Sequence, residues 1–64
     1  MTQKELSYVE DAISHEDNII KIINESLNMA EDDRIISFLE IEKDNHEEMH
    51  NKLINLLEDK ANEW

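Results

Sequence analysis

The 64-residue sequence contains neither glycine nor proline. Tight β-hairpin turns and phosphate-binding loops almost always require one of these two residues, because they supply backbone angles that other residues adopt only at a cost. The isoleucines recur mainly at positions i, i+3 and i+4 rather than in alternation, a spacing typical of one face of a helix. The sequence therefore predicts an all-α fold.

The short length of the chain limits how much apolar surface it can bury alone. A domain of about 60 residues buries only about 60% of the surface that its unfolded chain exposes, so it usually needs a disulfide, a metal or a partner subunit. Cysteine is absent, which excludes disulfides and thiolate-bound metals. A metal ion and a partner subunit remain as the two available sources of stability.

The chain is strongly acidic, with 17 Asp and Glu against 6 Lys and Arg and a formal net charge of -11. Such a surface repels nucleic-acid phosphates and anionic lipids, so we predict that it binds neither nucleic acid nor membrane. No apolar stretch approaches the roughly 20 residues of a membrane span. The first residues, 1–5, lack the apolar segment of a signal peptide. We therefore expect a cytoplasmic protein.

The first half of the chain has the pattern of a bundle helix. Thr2 and Glu5 have the spacing of a capping box, in which each side chain accepts a hydrogen bond from a free amide of the first turn. A stripe with alternating steps of three and four residues follows, and Ala12, Ile19 and Ile22 widen it. We predict a helix over about residues 3–30. The stripe consists of Leu6, Val9, Ile13, Glu16, Ile20, Ile23, Leu27 and Ala30.

The stripe changes phase after Ala30, and this change predicts a turn at about residues 31–33 and a second helix over about 33–61. Asp32 or Asp33 would be the N-cap of that helix, with its charge near the positive end of the helix dipole. A single continuous helix is the alternative, because no glycine or proline forces a break. The new phase and the acidic cluster favour the turn. The second stripe consists of Ile35, Leu39, Glu42, His46, Met49, Leu53 and Leu56.

Two such helices form one antiparallel hairpin, and we predict a single domain over residues 1–64. Two helices cannot cover both wide apolar faces by themselves. A second copy would cover them by completing a four-helix bundle. We therefore expect a homodimer or a higher homo-oligomer.

Glu16 lies in the middle of the first apolar stripe, where an unpaired carboxylate would be costly to desolvate. Folding the chain about residues 31 and 32 places it level with His46 and Glu47. His46 lies near the centre of the second stripe. Glu42 points the same way one turn earlier, and His50 lies on the flank of the stripe one turn later. The sequence thus predicts a carboxylate that faces an imidazole inside the bundle.

A resemblance to a known family rests on these residues. Glu16 on a first helix, followed by the Glu-x-x-His spacing of Glu47 and His50 on a second, resembles half of a ferritin-like or rubrerythrin-like di-iron bundle. The segment from Leu6 to Glu16 also resembles short spore-coat-type proteins of the ferritin-like group. This resemblance implies that Glu16, Glu47 and His50 bind iron and that the protein is associated with spores.

The helical phase gives a different ligand set, because it places Glu47 about 110° from the centre of the stripe, at 100° per residue. Either the helix is rotated relative to this assignment, or the ligands are Glu16, Glu42 and His46, with or without His50. Two copies of such a set could form a dinuclear site in a two-fold dimer. Glutamate and histidine ligands suit iron, manganese or zinc.

Two further interpretations involve no metal. Glu16 and His46 can form a structural pair that fixes helix register in an adaptor module that binds another protein. The acidic surface could alternatively mimic nucleic acid and block a basic protein. No nucleophile arrangement is visible, since cysteine is absent and no glycine-framed serine turn exists. We therefore predict that the protein is not an enzyme, unless metal and oxygen in the bundle core support the oxidation of ferrous iron.

Overall fold

The computed structural model consists of two antiparallel helices, α1 over Gln3–Met29 and α2 over Asp33–Ala61. It describes the backbone of residues 1–61 and the side chains of residues 1–59. Within that part of the chain there is no strand. The predicted helical hairpin is confirmed, and the alternative of one continuous helix is wrong. The sequence had predicted helices over about 3–30 and 33–61.

The capping box predicted at the start of α1 is present. The Thr2 side chain accepts a hydrogen bond from the amide of Glu5 at 3.1 Å, and the Glu5 carboxylate accepts one from the amide of Thr2 at 2.8 Å. Two of the free amides of the first turn are thereby satisfied. The hydrogen bond from the Thr2 backbone holds the pKa of Glu5 below its ordinary value.

The chain reverses direction between Ala30 and Asp32 without glycine. Ala30 is extended, with φ -71° and ψ 140°, and no residue in the described part of the chain has a positive φ. Oδ1 of Asp32 accepts hydrogen bonds from the amides of Arg34 at 2.8 Å and Ile35 at 3.4 Å, which makes Asp32 the N-cap of α2. Acidic side chains disfavour a helix C-terminus and favour an N-terminus. The run from Glu31 to Asp33 therefore helps to end α1 and to begin α2.

The side of α1 that faces α2 matches the stripe expected from the sequence. Every member of that stripe is at least half-buried, and Ile23 is the most buried, at 7% exposure. Burying an isoleucine fully stabilises a fold by about 1.5–3 kcal/mol. Of the three residues expected to widen the stripe, Ala12 and Ile19 are half-buried and Ile22 is 51% exposed.

The side of α2 that faces α1 is rotated from the predicted stripe, towards His50. Leu39, Glu42, His46 and Leu53 are half-buried as predicted. The other three members of the stripe were expected to face inward, and this expectation is wrong for a single hairpin. The reason is that α1 covers one side of α2 and leaves the neighbouring flank exposed. Those members are exposed by 53% at Ile35, 47% at Met49 and 40% at Leu56.

The hairpin is thin and extended, with principal dimensions of 48 × 14 × 11 Å. Its radius of gyration is 14.7 Å, whereas a compact domain of this length has about 11 Å. Ile23 is the one buried apolar residue among those described. Neither helix contains, over the described residues, a stretch long and apolar enough to cross a membrane.

The lowered pKa of Glu5 predicts a pH-dependent contribution to stability. A carboxylate whose pKa is lower in the folded state stabilises the fold above its unfolded value, here 4.5, and this contribution is lost as the pH falls through the folded value. We expect Glu5→Ala to lower the thermal midpoint at pH 7, by circular dichroism. The difference from the parent should shrink below pH 4.5.

The matched control for this substitution is Glu10→Ala, which removes another exposed carboxylate from α1. It keeps the capping box and should leave the midpoint at pH 7 unchanged or slightly higher, because alanine favours helix. Equal midpoints for the two variants at pH 7 would contradict the role given to Glu5.

Candidate carboxylate–histidine site

The pair predicted between Glu16 and His46 is present at the middle of the hairpin. Nδ1 of His46 lies 2.6 Å from Oε2 of Glu16. The side chains are 15% exposed for Glu16 and 29% for His46, so water reaches this pair only in part. An ionised carboxylate has only acceptors, so the ring nitrogen donates this hydrogen bond. The carboxylate on α1 thereby fixes the orientation of the imidazole on α2.

The other ring nitrogen of His46 faces Glu42, one turn earlier on α2. Nε2 lies 3.7 Å from Oε2 of Glu42, and that side chain is 35% exposed. This separation is too long for a hydrogen bond. The imidazole is therefore held firmly on its Nδ1 side, and a gap separates its Nε2 from a second carboxylate.

A second acid–histidine pair, not predicted from the sequence, lies beside the first. Nε2 of His50 lies 2.8 Å from Oδ1 of Asp17, with side-chain exposures of 25% and 63%. The consecutive residues Glu16 and Asp17 thus pair with histidines on successive turns of α2. The position of Asp17 next to Glu16 indicates this pair only once the rotation of α2 towards His50 is known.

The structure places Glu47 apart from these pairs. Its Oε1 lies 4.0 Å from Nζ of Lys43, and its side chain is 47% exposed. Of the five residues that the sequence singled out, Glu16, Glu42 and His46 therefore come together, and His50 adjoins them through Asp17.

The donor set is compatible with a metal ion, although one chain supplies only part of its coordination. Bonds from zinc to nitrogen and oxygen are about 2.1 Å long, so two ligands of one ion lie roughly 3–3.5 Å apart. The 3.7 Å gap between His46 Nε2 and Glu42 is close to that spacing, whereas the 2.6 Å contact with Glu16 is a direct hydrogen bond. Within the described residues, no three His, Asp or Glu side chains are arranged as a group that could hold an ion.

No family model, no curated protein and no solved structure matches this chain. The resemblance to ferritin-like proteins thus remains a prediction that rests on Glu16, Glu47 and His50.

The pair between Glu16 and His46 should be worth more than a surface ion pair. Exposed pairs contribute about 0–1 kcal/mol, whereas hydrogen bonds to charged groups are worth about 1.5–3 kcal/mol when removed. We expect a double-mutant cycle of Glu16→Gln and His46→Gln to give a coupling energy of about 1–2 kcal/mol, from urea unfolding at pH 7.

The control cycle uses Glu48 and Lys52, whose ion pair on α2 spans 3.2 Å with both side chains about two-thirds exposed. It should give a coupling energy below about 0.5 kcal/mol. If both cycles give the same coupling energy, burial adds nothing to the pair between the helices.

Proposed function

We propose that this chain is a small metal-binding module of the ferritin-like type, in which two copies form a four-helix bundle and His46 and Glu42 are the ligands that each chain provides. The observation that carries the proposal is the asymmetric setting of His46. One of its ring nitrogens is held by Glu16 at 2.6 Å, and the other lies 3.7 Å from Oε2 of Glu42, close to the spacing of two ligands of one ion.

Each residue has a distinct role in this proposal. Histidine ligands almost always donate their second ring N–H to a carboxylate or carbonyl, which fixes the tautomer and the direction of the ring. Glu16 is such a positioning residue for His46. Asp17 holds His50 in the same way, one turn further along α2.

The ligand types indicate which ions are suitable. Imidazole and carboxylate together suit zinc, manganese and iron. Calcium and magnesium prefer oxygen ligands and suit this set less well. A bound ion would cross-link neighbouring turns of α2 and stabilise the bundle, and a bound iron would add the chemistry of ferrous-iron oxidation. Since one chain offers few ligands, the second copy and water would supply the rest.

The proposal differs from the ligand set that the ferritin-like resemblance implies. That resemblance makes Glu47 a ligand, but in the hairpin the Glu47 side chain is 47% exposed and its Oε1 lies 4.0 Å from Nζ of Lys43. The cytoplasmic location, and the association with spores that the resemblance implies, remain parts of the proposal that await experiments in cells.

Zinc titration with single substitutions tests this assignment. We expect protein purified without chelator to bind zinc by calorimetry at pH 7, and Glu42→Gln or His46→Gln to abolish binding. Glu16→Gln should weaken it by about 10–100-fold, the usual effect of losing a group that orients a ligand. Elemental analysis of the untreated protein would identify the ion acquired during expression.

Glu47→Gln is the informative control, because it changes a nearby carboxylate whose ion-pair partner is Lys43 rather than a histidine. It should leave zinc affinity unchanged. Loss of binding in Glu47→Gln, with binding retained in Glu42→Gln, would favour the ligand set of the ferritin-like resemblance. An absence of uptake of zinc, manganese and ferrous iron by the parent protein would contradict the proposal.

The second candidate function is a non-catalytic adaptor that binds another protein through its bundle. The observation that favours it is that both half-buried imidazoles already have carboxylate partners within the chain. Such pairs can specify helix register without any metal. Metal-free protein that is stable and takes up none of these ions would support this function.

A further inference from the structure

Seven exposed apolar side chains occupy equivalent positions beside the interface between the helices. Each of them directly precedes a residue that faces the other helix, as Ile22 precedes Ile23 and Met49 precedes His50. The residue after each inward-facing one is polar, as Asn24 and Asn51 are. We call the seven the apolar face. It consists of Tyr8, Ile22 and Met29 on α1, and Ile35, Phe38, Met49 and Leu56 on α2.

The apolar face lies on a single broad side of the hairpin. A residue that precedes another in a helix lies about 100° behind it around the axis. Because α1 and α2 run in opposite directions, the residue that precedes an inward-facing one points to the same broad side of the hairpin in both helices. The polar residues that follow the inward-facing positions turn to the opposite side, which carries acidic groups such as Glu10, Glu31, Glu40 and Glu58.

The surface area of the hairpin is larger than that of a compact monomer. A folded monomer of 7.6 kDa exposes about 4,300 Å². This chain exposes 4997 Å². The elongated shape thus leaves more surface uncovered than a compact monomer of this mass would, and a stable interface of standard size covers roughly 800 Å² on each partner.

Charge decides which partner can cover this face. The net charge of -11 disfavours contact between two copies through their acidic sides. The side of the apolar face also carries charged residues, such as Asp11, which precedes Ala12, and Lys52, which precedes Leu53. Its main columns of residues seven apart, over 8–29 and 35–56, are free of charged residues except for Glu42 on α2 and contain one histidine, His15 on α1. Such a face can pack against itself.

We propose that a second copy of the chain docks on the apolar face, antiparallel to the first and with the two turns at opposite ends of the bundle. This inference rests on the dimeric bundle of the proposed function and adds its face and orientation. The acidic turns, with Glu31, Asp32 and Asp33, would repel each other if they lay at the same end.

This orientation brings particular residues together. A two-fold axis that lies in the interface and crosses the helices at right angles places α1 against its own copy and α2 against its own copy. The axis crosses at the level of Glu16, halfway along α1 (Gln3–Met29). His15, on the side of the apolar face, therefore meets His15 of the second copy.

Cysteine cross-linking tests the arrangement cleanly, because the natural chain has no cysteine. His15→Cys should form a covalent dimer on mild oxidation, at least tenfold faster than Glu47→Cys. Glu47 lies at nearly the same height but on the acidic side. Sedimentation equilibrium of the parent and of both reduced variants gives the mass in solution.

The outcomes separate the docking face from the proposed function. If sedimentation gives the mass of a dimer but His15→Cys cross-links no faster than Glu47→Cys, the proposed face and orientation are wrong and the dimeric bundle stands. If sedimentation gives the mass of a monomer, both the docking face and the dimeric bundle are wrong. Zinc uptake is measured independently, so neither result is confused with a failure of metal binding.

A second pair of variants guards against effects of cysteine itself. Ile22→Glu places a charge in the apolar face and should weaken dimerisation at least tenfold. Ile41→Glu changes a similarly exposed isoleucine, 59% against 51%. Ile41 precedes Glu42, at the edge of the interface, and lies about 140° around α2 from His46, whereas Met49 lies about 60° from it, so this substitution should leave the dimer intact. Equal effects of the two substitutions would overturn the proposed face.

Discussion

A two-helix hairpin has one internal interface, and the rest of this structure depends on that limit. Each helix can bury only the side that meets the other. In this chain of 64 residues, Ile23 is therefore the single buried apolar residue among those described. Several large apolar side chains stay exposed for the same reason. The folding free energy is a small difference between the gain from burial and the loss of conformational entropy. A thin helical pair buries little surface, so the entropy loss leaves it a small margin of stability. The hairpin therefore gains from any additional contact that orders both helices at once.

Two carboxylate–histidine pairs lie at the middle of that one interface, and in the second of them the carboxylate, on Asp17, is exposed. Apolar helix faces tolerate sliding by one turn, because isoleucine and leucine pack against many partners. The pairs of Glu16 with His46 and Asp17 with His50 oppose such sliding, since a shift would separate both carboxylates from both imidazoles. Desolvation costs reduce the net stabilisation from pairs of this kind. The same geometry leaves Nε2 of His46 directed towards Oε2 of Glu42, at 3.7 Å.

Much of the fold could be predicted because its signals are local. The Thr2 and Glu5 caps, the stripe through Ile23 and the acidic start of α2 each depend on residues within one or two turns. The pairing of Glu16 with His46 followed from folding two stripes about a short turn. The rotation of α2 could not be predicted in this way. Its apolar residues are spread around more than half of the helix, so periodicity alone does not decide whether Met49 or His50 faces α1. Asp17 was missed for the same reason, since its partner His50 becomes visible only after that rotation is known.

The central claim is that the hairpin is completed by a second copy, and the concentration dependence of its thermal unfolding tests this most directly. For a protein whose folding is coupled to dimerisation, the midpoint rises with protein concentration by mass action. We expect the midpoint, measured by circular dichroism over roughly a hundredfold range of concentration, to rise steadily with concentration. A cooperative transition with the same midpoint throughout that range would show that one hairpin folds alone, and it would contradict the account.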